Sequence, residues 1–257
     1  MPVEEFPQLS KNKLARLLKL KQKKYREAEG KTLAEGINLI EQLFANGIRP
    51  LELICSNPDS LMGIIGNKGV PIFITGQNEL AKLSDTDTPQ SAVAVYSIPQ
   101  TKLKDRRLVV YLDGIRDPGN LGTIIRTAAA FGLDGIILSP DSCEIWSPKV
   151  VRSSLGSVFW MPIQIAGADW LGQQKSLKIG LLMDGDTDLY RLKVDSKKPC
   201  CIIIGSESRG ISPEVVKLLD QKVYIRINEN MESLNASVAA GIAMYELSSR
   251  FDIDTKS

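Results

Sequence analysis

The chain has 257 residues, a formal net charge of +2 and 43% hydrophobic residues. This length is enough for one or two domains with buried cores, and the pattern of elements favours two. No apolar run is long enough to cross a bilayer, and the N-terminus lacks the charged and then apolar layout of a secretion signal. The sequence therefore predicts a soluble, cytoplasmic protein with no membrane partner.

The chain contains no histidine, which removes the usual general base near neutral pH and one of the commonest metal ligands. Its four cysteines lack the CxxC spacing of zinc sites, and Cys200 and Cys201 are adjacent, which makes them poor disulfide partners. We therefore expect buried free thiols, no metal ion, and chemistry that proceeds without histidine.

Positive charge is concentrated near the N-terminus. Between Lys11 and Arg26, eight of sixteen residues are Lys or Arg and none is acidic. Leucines and a tyrosine fall at helical spacing in this segment, which predicts one amphipathic helix. Its basic face is either a solvated helix surface or a contact for a phosphate backbone, and we favour the second. The candidate nucleic-acid-binding residues are Lys11, Lys13, Arg16, Lys19, Lys23 and Arg26.

After this segment, short apolar strands alternate with helical patterns and predict a small α/β unit. The strands are expected at residues 31–34, 51–55, 72–75 and 91–97, with a helix at 37–45. Residues 98–107 are polar, contain Pro99 and carry a dense charge cluster, so they are the best linker candidate. We therefore expect two domains, residues 1–100 and residues 101–257.

Strands and helices also alternate in the second part. The strands are expected at residues 108–112, 135–138, 158–163, 178–183, 200–204 and 223–227, and the last helix at 235–250. Such alternation predicts a parallel sheet covered by helices on both faces, with ligands bound at the carboxyl ends of the strands.

Three polar turns lie at such strand ends. The first follows residues 108–113, and Asn120 is predicted to cap a helix that carries Arg126. An arginine there suits a phosphate because its rigid fork donates two hydrogen bonds at once. The turn matches neither the Walker phosphate loop nor the GxGxxG dinucleotide fingerprint, and an ordinary strand-to-helix loop would have the same glycines.

The second turn, residues 205–210, is glycine-lined and places Glu207 near the first. Ser212 is expected to cap the helix that follows, with Pro213 as its first residue. The third turn leads through Ser233 and Asn235 into the last helix. Taken alone, these two residues read as helix caps rather than catalytic groups.

Taken in order, Asn120-x-Gly122-x3-Arg126, Gly205-x-Glu207-x2-Gly210 and Ser233-Leu234-Asn235 resemble the three motifs of the SpoU (TrmH-like) RNA 2′-O-ribose methyltransferases of the SPOUT superfamily. Residues 150–157 are similar to the family's segment between the first two motifs, and residues 34–36 to the start of its N-terminal substrate-binding domain. The resemblance implies an α/β fold with a deep trefoil knot in the C-terminal domain, and a homodimer.

The resemblance also implies S-adenosylmethionine as the methyl donor, bound by Gly205, Ile225, Ile227, Ser233 and Leu234. Arg226 stands where relatives commonly have proline. The implied catalytic residues are Arg126, Asn120, Glu207, Ser233 and Asn235. Because an arginine is a reluctant base, we expect Arg126 to grip the phosphate beside the target ribose, with that phosphate or water removing the proton.

Ribosomal RNA is the expected substrate, because the best-known transfer-RNA members lack an N-terminal domain of this kind. The alternatives are a transfer-RNA 2′-O-methyltransferase, a catalytically silent RNA-binding assembly factor, and a knotted methyltransferase that modifies a base nitrogen.

Overall fold

The computed structural model describes residues 6–65, 69–86, 90–103 and 107–251. In these ranges the helices are α1 (Lys11–Lys19), α2 (Lys23–Glu29), α3 (Ile37–Ala45), α4 (Asp59–Ile65), α5 (Gln77–Leu83), α6 (Pro118–Ala130), α7 (Pro148–Ser153), α8 (Ala168–Gln173), α9 (Pro213–Val216) and α10 (Ala236–Ser248). The strands are β1 (Lys31–Glu35), β2 (Glu52–Cys55), β3 (Ile72–Ile74), β4 (Ala92–Ser97), β5 (Leu108–Asp113), β6 (Gly135–Leu138), β7 (Ile163–Ile165), β8 (Leu177–Leu181), β9 (Thr187–Asp188), β10 (Cys200–Gly205) and β11 (Gln221–Tyr224).

The chain divides into two compact units. The first comprises Met1–Pro99 together with Glu144–Phe159, and the second comprises Gln100–Cys143 and Trp160–Ser257. The first unit therefore includes, besides the N-terminal part of the chain, residues 144–159 from within the predicted second domain.

The first unit is built on a sheet with the order β1-β4-β2-β3, in which only β2 and β3 are parallel. Its core includes Leu33, Ile54, Leu80 and Val93, and α1 adds Leu17 to it. The predicted leucine stripe of the basic segment thus faces the apolar core, as an amphipathic helix should.

The prediction of one helix for the basic segment is wrong, because α1 ends at Lys19 and α2 begins at Lys23. The end of α1 is held by Arg26, whose Nη1 donates to the carbonyl oxygen of Leu20 at 2.7 Å. The same guanidinium donates to both carboxylate oxygens of Glu144, from Nε to Oε1 at 2.9 Å and from Nη2 to Oε2. The turn between α1 and α2 is therefore held by a contact that is distant in sequence.

Residues 144–159 pack as part of the first unit. The ring of Phe159 lies 5.2 Å from those of both Tyr96 and Trp146, and Thr32 donates from Oγ1 to the carbonyl oxygen of Trp146 at 3.1 Å. A Cβ on Gly156 would crowd Leu43, so the segment also lies close to α3. The strand predicted at residues 158–163 is therefore wrong, because residues 157–159 form a 3₁₀ turn buried in this core and β7 begins only at Ile163.

The second unit has a fully parallel sheet with the order β7-β6-β5-β10-β8-β11-β9. Strand β5 is buried at every residue, which is typical of a parallel strand covered on both faces. The architecture predicted from the alternation of strands and helices is confirmed, with a parallel sheet following a small α/β unit.

Strand β11 lies between β8 and β9, although β8 and β9 are consecutive in the chain. Val223 of β11 pairs with Leu181 on one side and with Thr187 on the other. Residues 182–186 therefore carry the chain across β11, and the amides of Leu182 and Asp186 donate to the carbonyl oxygens of Val223 and Lys222. The strand predicted at residues 223–227 instead spans Gln221–Tyr224, so it begins two residues earlier and ends three residues earlier than predicted.

Helix α10 buries small residues, including Ala240 and Ala243, and packs against α6 and β10. Three of its larger apolar residues, Val238, Ile242 and Tyr245, are instead 49%, 39% and 62% exposed. These three exposed residues form the outer apolar face of α10, since their spacing places them on one side of the helix. Such a face on a surface helix needs a partner to be buried.

Candidate active site

The three polar turns meet at the carboxyl edge of the parallel sheet, because β5 and β10 are neighbours and β11 lies two strands beyond β10. Asp113, at the end of β5, accepts a hydrogen bond from the amide of Ser212 at 2.7 Å, which ties the first turn to the second. Tyr111 lies in β5 below this edge, and burial raises the pKa of its phenol, so it remains neutral.

In the first turn the capping residue is Asp117 and not Asn120, so that prediction is wrong. Asp117 accepts from the amide of Asn120 at 2.8 Å, and Pro118 occupies the first helical position of α6. Because the N-cap lies three residues earlier, the Asn120 side chain does not cap α6 and instead extends toward the other two turns.

The side chains of the three turns form one hydrogen-bonded relay. Asn235 donates from Nδ2 to Oδ1 of Asn120 at 3.1 Å, and Asn120 donates from Nδ2 to Oε1 of Glu207. Asn235 is also the N-cap of α10, as the sequence predicts, and its Oδ1 accepts from the amides of Ser237 and Val238. We call Asn235, Asn120 and Glu207 the amide relay.

The second turn closes on itself. Ser206 and Gly210 exchange backbone hydrogen bonds of 3.1 and 2.8 Å, and a Cβ on Gly205 would overlap the backbone of Gly210 and Ile211. Gly210 itself has a φ of +64°, in the left-handed region that favours glycine. The glycines predicted for this turn are thus required by its geometry. Ser212 precedes α9 as its N-cap residue, although its hydroxyl makes no capping hydrogen bond.

A cavity of about 340 Å³ opens beside the relay. All five residues predicted to hold a methyl donor line it: Gly205, Ile225, Ile227, Ser233 and Leu234. Glu207 lies at its wall as well. Four further residues of the wall were not predicted from the sequence. Three belong to residues 182–186, the segment that crosses β11 (the crossing segment), and one to the second turn: Leu182, Met183, Asp184 and Arg209. Residues 182–184 have no motif of their own, whereas Arg209 lies inside the glycine turn and could have been included.

Arg126 lies apart from this cavity. It is exposed on α6, it is not among the residues of the cavity wall, and it has no hydrogen-bond or ion-pair partner within the part of the chain that the structure describes. Arg126 lies six positions after Asn120, which corresponds to about 600° of helical rotation, so the two side chains leave α6 in different directions. Arg126 is therefore not part of the hydrogen-bonded group that Asn120 forms.

The sequence model of the SpoU rRNA Methylase family matches residues 107–245, more than half of the chain. The chain belongs to the SpoU rRNA methylase family. A second model, described as an MRM3-like substrate binding domain, matches residues 11–94. The family named by the motif resemblance is confirmed, and the match places all three motif turns within the SpoU region.

Similar proteins span nearly the whole SpoU chain. The 23S rRNA (guanosine(2553)-2'-O)-methyltransferase RlmP of Bacillus subtilis is 28% identical, with 89% of this chain and 93% of the relative covered. The SpoU methyltransferase AviRb of Streptomyces viridochromogenes in complex with AdoMet has a TM-score of 0.81 at 25% identity, covering 94% and 98% of the two chains. An AdoMet-bound rRNA methyltransferase of Sinorhizobium meliloti has a TM-score of 0.80 at 27% identity, covering 96% and 97%.

In this SpoU protein, the basic candidates of the first unit differ in their surroundings. Lys13 pairs with Glu52, and Arg16 donates to Glu29 at 2.9 Å, which lowers the pKa of that carboxyl. Lys11 and Lys19 are exposed. Lys23 lies 3.7 Å from Glu27 in an exposed pair, which is weak and leaves its charge accessible.

Arg26 is only 3% exposed and is held by Glu144 and Leu20. It cannot reach a phosphate from this position, so its assignment to nucleic-acid binding is wrong. The sequence could not reveal this, because the partner lies 118 residues away.

Within the described ranges, no helix is both long and apolar enough to cross a membrane. The same ranges contain no group of three or more His, Cys, Asp or Glu residues that could hold a metal ion.

Proposed function

We propose that the protein is an S-adenosylmethionine-dependent RNA 2′-O-ribose methyltransferase that acts on ribosomal RNA. The observation that carries the proposal is the amide relay, from Asn235 through Asn120 to Glu207, beside a cavity of ligand size. Membership of the SpoU family and the similarity to a methyltransferase named for a 2′-O position of 23S rRNA support this reaction and substrate class.

The cavity fits the methyl donor in size and in chemistry. Its volume of about 340 Å³ lies in the usual range for small-molecule sites. Leu181, Ile204, Ile225, Ile227 and Leu234 offer apolar wall to an adenine ring. Polar groups from the second and third turns, among them Ser206 and Ser233, lie in the same wall and can bind the polar parts of a nucleoside.

S-adenosylmethionine supplies a methyl group that is already activated by its bond to a sulfonium. The protein therefore has mainly to align the ribose hydroxyl and provide for the loss of one proton. Asn120, Glu207, Ser233 and Asn235 lie at the turns around the cavity and would orient the ribose and the donor. Arg126 would grip the phosphate beside the target ribose.

The exposed position of Arg126 supports a homodimer with shared sites. Arg126 is exposed and does not line the cavity of its own chain, which fits a site that takes its arginine from a second copy. The outer apolar face of α10, formed by Val238, Ile242 and Tyr245, offers the surface for such an association. A two-fold dimer would then place Arg126 of one subunit at the cavity of the other.

Mixing two inactive variants tests the shared site. Arg126→Ala and Glu207→Ala are each expected to be inactive, and subunit exchange should restore about one quarter of wild-type activity, because half the dimers are mixed and each mixed dimer has one intact site of two. Subunit exchange is verified with differently tagged chains. No recovery after verified exchange means that each site is built within one chain.

RNA binding is proposed for the first unit through Lys11, Lys13, Arg16, Lys19 and Lys23. The match of residues 11–94 to a substrate binding domain supports this, as does the concentration of lysines and arginines on α1 and α2. Neutralising phosphates releases counterions, so the affinity should fall steeply with salt. We propose residues 1–100 as the substrate-binding domain, but removing them would also strip residues 144–159 of their packing.

The crossing of β11 by residues 182–186 supports the proposal of a trefoil knot in the C-terminal domain, since the last strand occupies a place between two strands that are already joined. A cytoplasmic location stays a prediction of the sequence.

The function is tested by incubating the protein with ribosomal RNA, transfer RNA and labelled donor. We expect label in ribosomal RNA at a position that resists alkaline cleavage, because a 2′-O-methyl group blocks attack on the neighbouring phosphate. Label in transfer RNA alone favours the transfer-RNA alternative, and label at an alkali-sensitive position favours a base methyltransferase. Failure to bind the donor would indicate the silent assembly factor.

A further inference from the structure

The hydrogen bonds at the start of α10 fix the orientation of the Asn235 amide. Its Oδ1 accepts from the amide of Ser237 at 2.9 Å, from the hydroxyl of Ser237 at 2.6 Å, and from the amide of Val238 at 3.3 Å. A backbone N–H can only donate, so the oxygen of Asn235 must face the helix. Its NH₂ group must therefore face the opposite way, toward Asn120.

This orientation sets the direction of every later bond. The NH₂ group of Asn235 meets Oδ1 of Asn120, which has to accept, and so the NH₂ group of Asn120 faces Glu207. At the end of the amide relay, Oε1 of Glu207 can only accept. The helix cap therefore dictates that Glu207 is an acceptor, and its second oxygen, Oε2, is left for another donor.

We infer that Glu207 accepts the proton of the ribose 2′-hydroxyl on Oε2, and that Asn235 is the positioning residue that prepares it through Asn120. The inference rests on the proposed function. The ribose oxygen forms a bond to the methyl carbon while the carbon–sulfur bond breaks. The electron pair of the carbon–sulfur bond goes to sulfur. The hydroxyl proton goes to Oε2 of Glu207, and water removes it afterwards.

Other groups are less suited to take the proton. The chain has no histidine, and an arginine guanidinium is not deprotonated in proteins, so Arg126 is a poor proton acceptor. The charged groups that share the cavity wall with Glu207 are Asp184, from the crossing segment, and Arg209, from its own turn. Asp184 is the rival carboxylate, but the relay does not reach it. This assignment replaces the substrate phosphate or water, the two acceptors expected from the sequence.

The decisive variants are Glu207→Gln and Asn235→Asp. Glu207→Gln keeps the shape of the side chain but cannot take a proton, so single-turnover methyl transfer should fall by about 10² to 10⁴-fold, with donor affinity retained. Asn235→Asp keeps an oxygen for the α10 cap but has no NH₂ group. Asn120 would then turn its NH₂ group toward the new carboxylate and its oxygen toward Glu207, which favours protonated Glu207.

The pH dependence of single-turnover rates separates this role from a structural one. In Asn235→Asp the pH of half-maximal rate should move upward, at unchanged thermal stability. Asn235→Ser keeps a capping oxygen and loses the relay, so its rate should fall without that upward shift. Asp184→Asn should retain the wild-type pH profile. If Glu207→Gln keeps both the rate and the pH profile of the wild type, or if Asp184→Asn abolishes the acid limb, the inference is overturned.

A readout without RNA distinguishes this inference from the proposed function. The carboxyl ¹³C resonance of Glu207, assigned by its absence in Glu207→Gln, is titrated in the wild type and in Asn235→Asp. The midpoint should be higher in Asn235→Asp, and identical midpoints would refute the directional relay. Absence of methyl transfer by the wild-type protein to any RNA would instead refute the proposed function, and with it the assignment of the ribose proton.

Discussion

Replacing Arg26 with methionine should make the first unit easier to unfold, and it should not remove a contact with RNA. The buried guanidinium holds Glu144 through two hydrogen bonds and the end of α1 through the carbonyl of Leu20. Methionine keeps an unbranched apolar side chain and removes all three donors. The carboxylate of Glu144, whose side chain is 21% exposed, would lose its cationic partner.

The size of the effect follows from this geometry. Breaking a buried ion pair by removing one partner costs about 3 to 5 kcal/mol, and the partial exposure of Glu144 favours the lower end, about 3 kcal/mol. This corresponds to a roughly 100-fold rise in the population of the opened unit, since about 1.4 kcal/mol is a factor of ten. Adding Glu144→Leu should restore part of the loss, because no unpaired carboxylate then remains.

Amide hydrogen exchange in β1 and β4 measures the opening of the first unit directly. We expect faster exchange there in Arg26→Met. The control is Lys19→Met, an exposed lysine of the same segment, which should leave exchange unchanged and reduce the salt dependence of RNA binding by about one unit of slope. The reasoning is refuted if Arg26→Met leaves exchange unchanged and lowers the salt slope as Lys19→Met does.

Three further outcomes are expected. Gly205→Ala should lower the free energy of unfolding by about 2 kcal/mol or more and abolish donor binding, because the added Cβ forces apart the two backbone hydrogen bonds of the turn. Gly210→Ala meets no neighbouring atom and should lower it by only about 1 to 2 kcal/mol, because of the left-handed backbone; thermal melts compare the stabilities of the two variants and calorimetry compares their donor binding. Arg126→Ala should abolish methyl transfer with donor affinity unchanged, and a parallel loss of affinity by calorimetry would contradict its assignment to phosphate. Iodoacetamide at pH 8 should label the half-buried Cys143 before Cys55, because burial raises the pKa of the Cys55 thiol to about 11. Labelling rates are measured by mass spectrometry, and equal rates at the two thiols would contradict this difference in reactivity.

Three strands of the parallel sheet, β5, β6 and β10, could be predicted from sequence because they are nearly continuous apolar runs, as burial on both faces requires. Strand β6 has the predicted bounds, and β5 and β10 each extend one residue beyond theirs, through Asp113 and Gly205. The sequence could not reveal where the basic segment breaks or where residues 157–159 pack. Both depend on contacts across the first unit, with Glu144 and with Tyr96, and no local pattern encodes such contacts.

The second turn of the site, residues 205–210, was predictable because its backbone geometry requires glycines, which are visible in the sequence. The hydrogen bond from Asn120 to Glu207 was not predictable. Asp117 and Asn120 are both good helix caps, and only the position of Glu207, 87 residues away, decides which of them caps α6. Arg126 was assigned by its motif, and the rotation of α6 places it away from the cavity of its own chain.

The place of β11 between β8 and β9 affects when the protein becomes competent during its synthesis. Gln221 is translated after both flanking strands, and the residues that follow it supply Ile225, Ile227 and Leu234 to the cavity wall. A nascent chain that has reached Gly210 already carries the first two turns but lacks these three residues of the cavity wall. Premature termination in the last part of the message would therefore remove part of the donor site and leave the proposed RNA-binding residues of α1 and α2 in the chain.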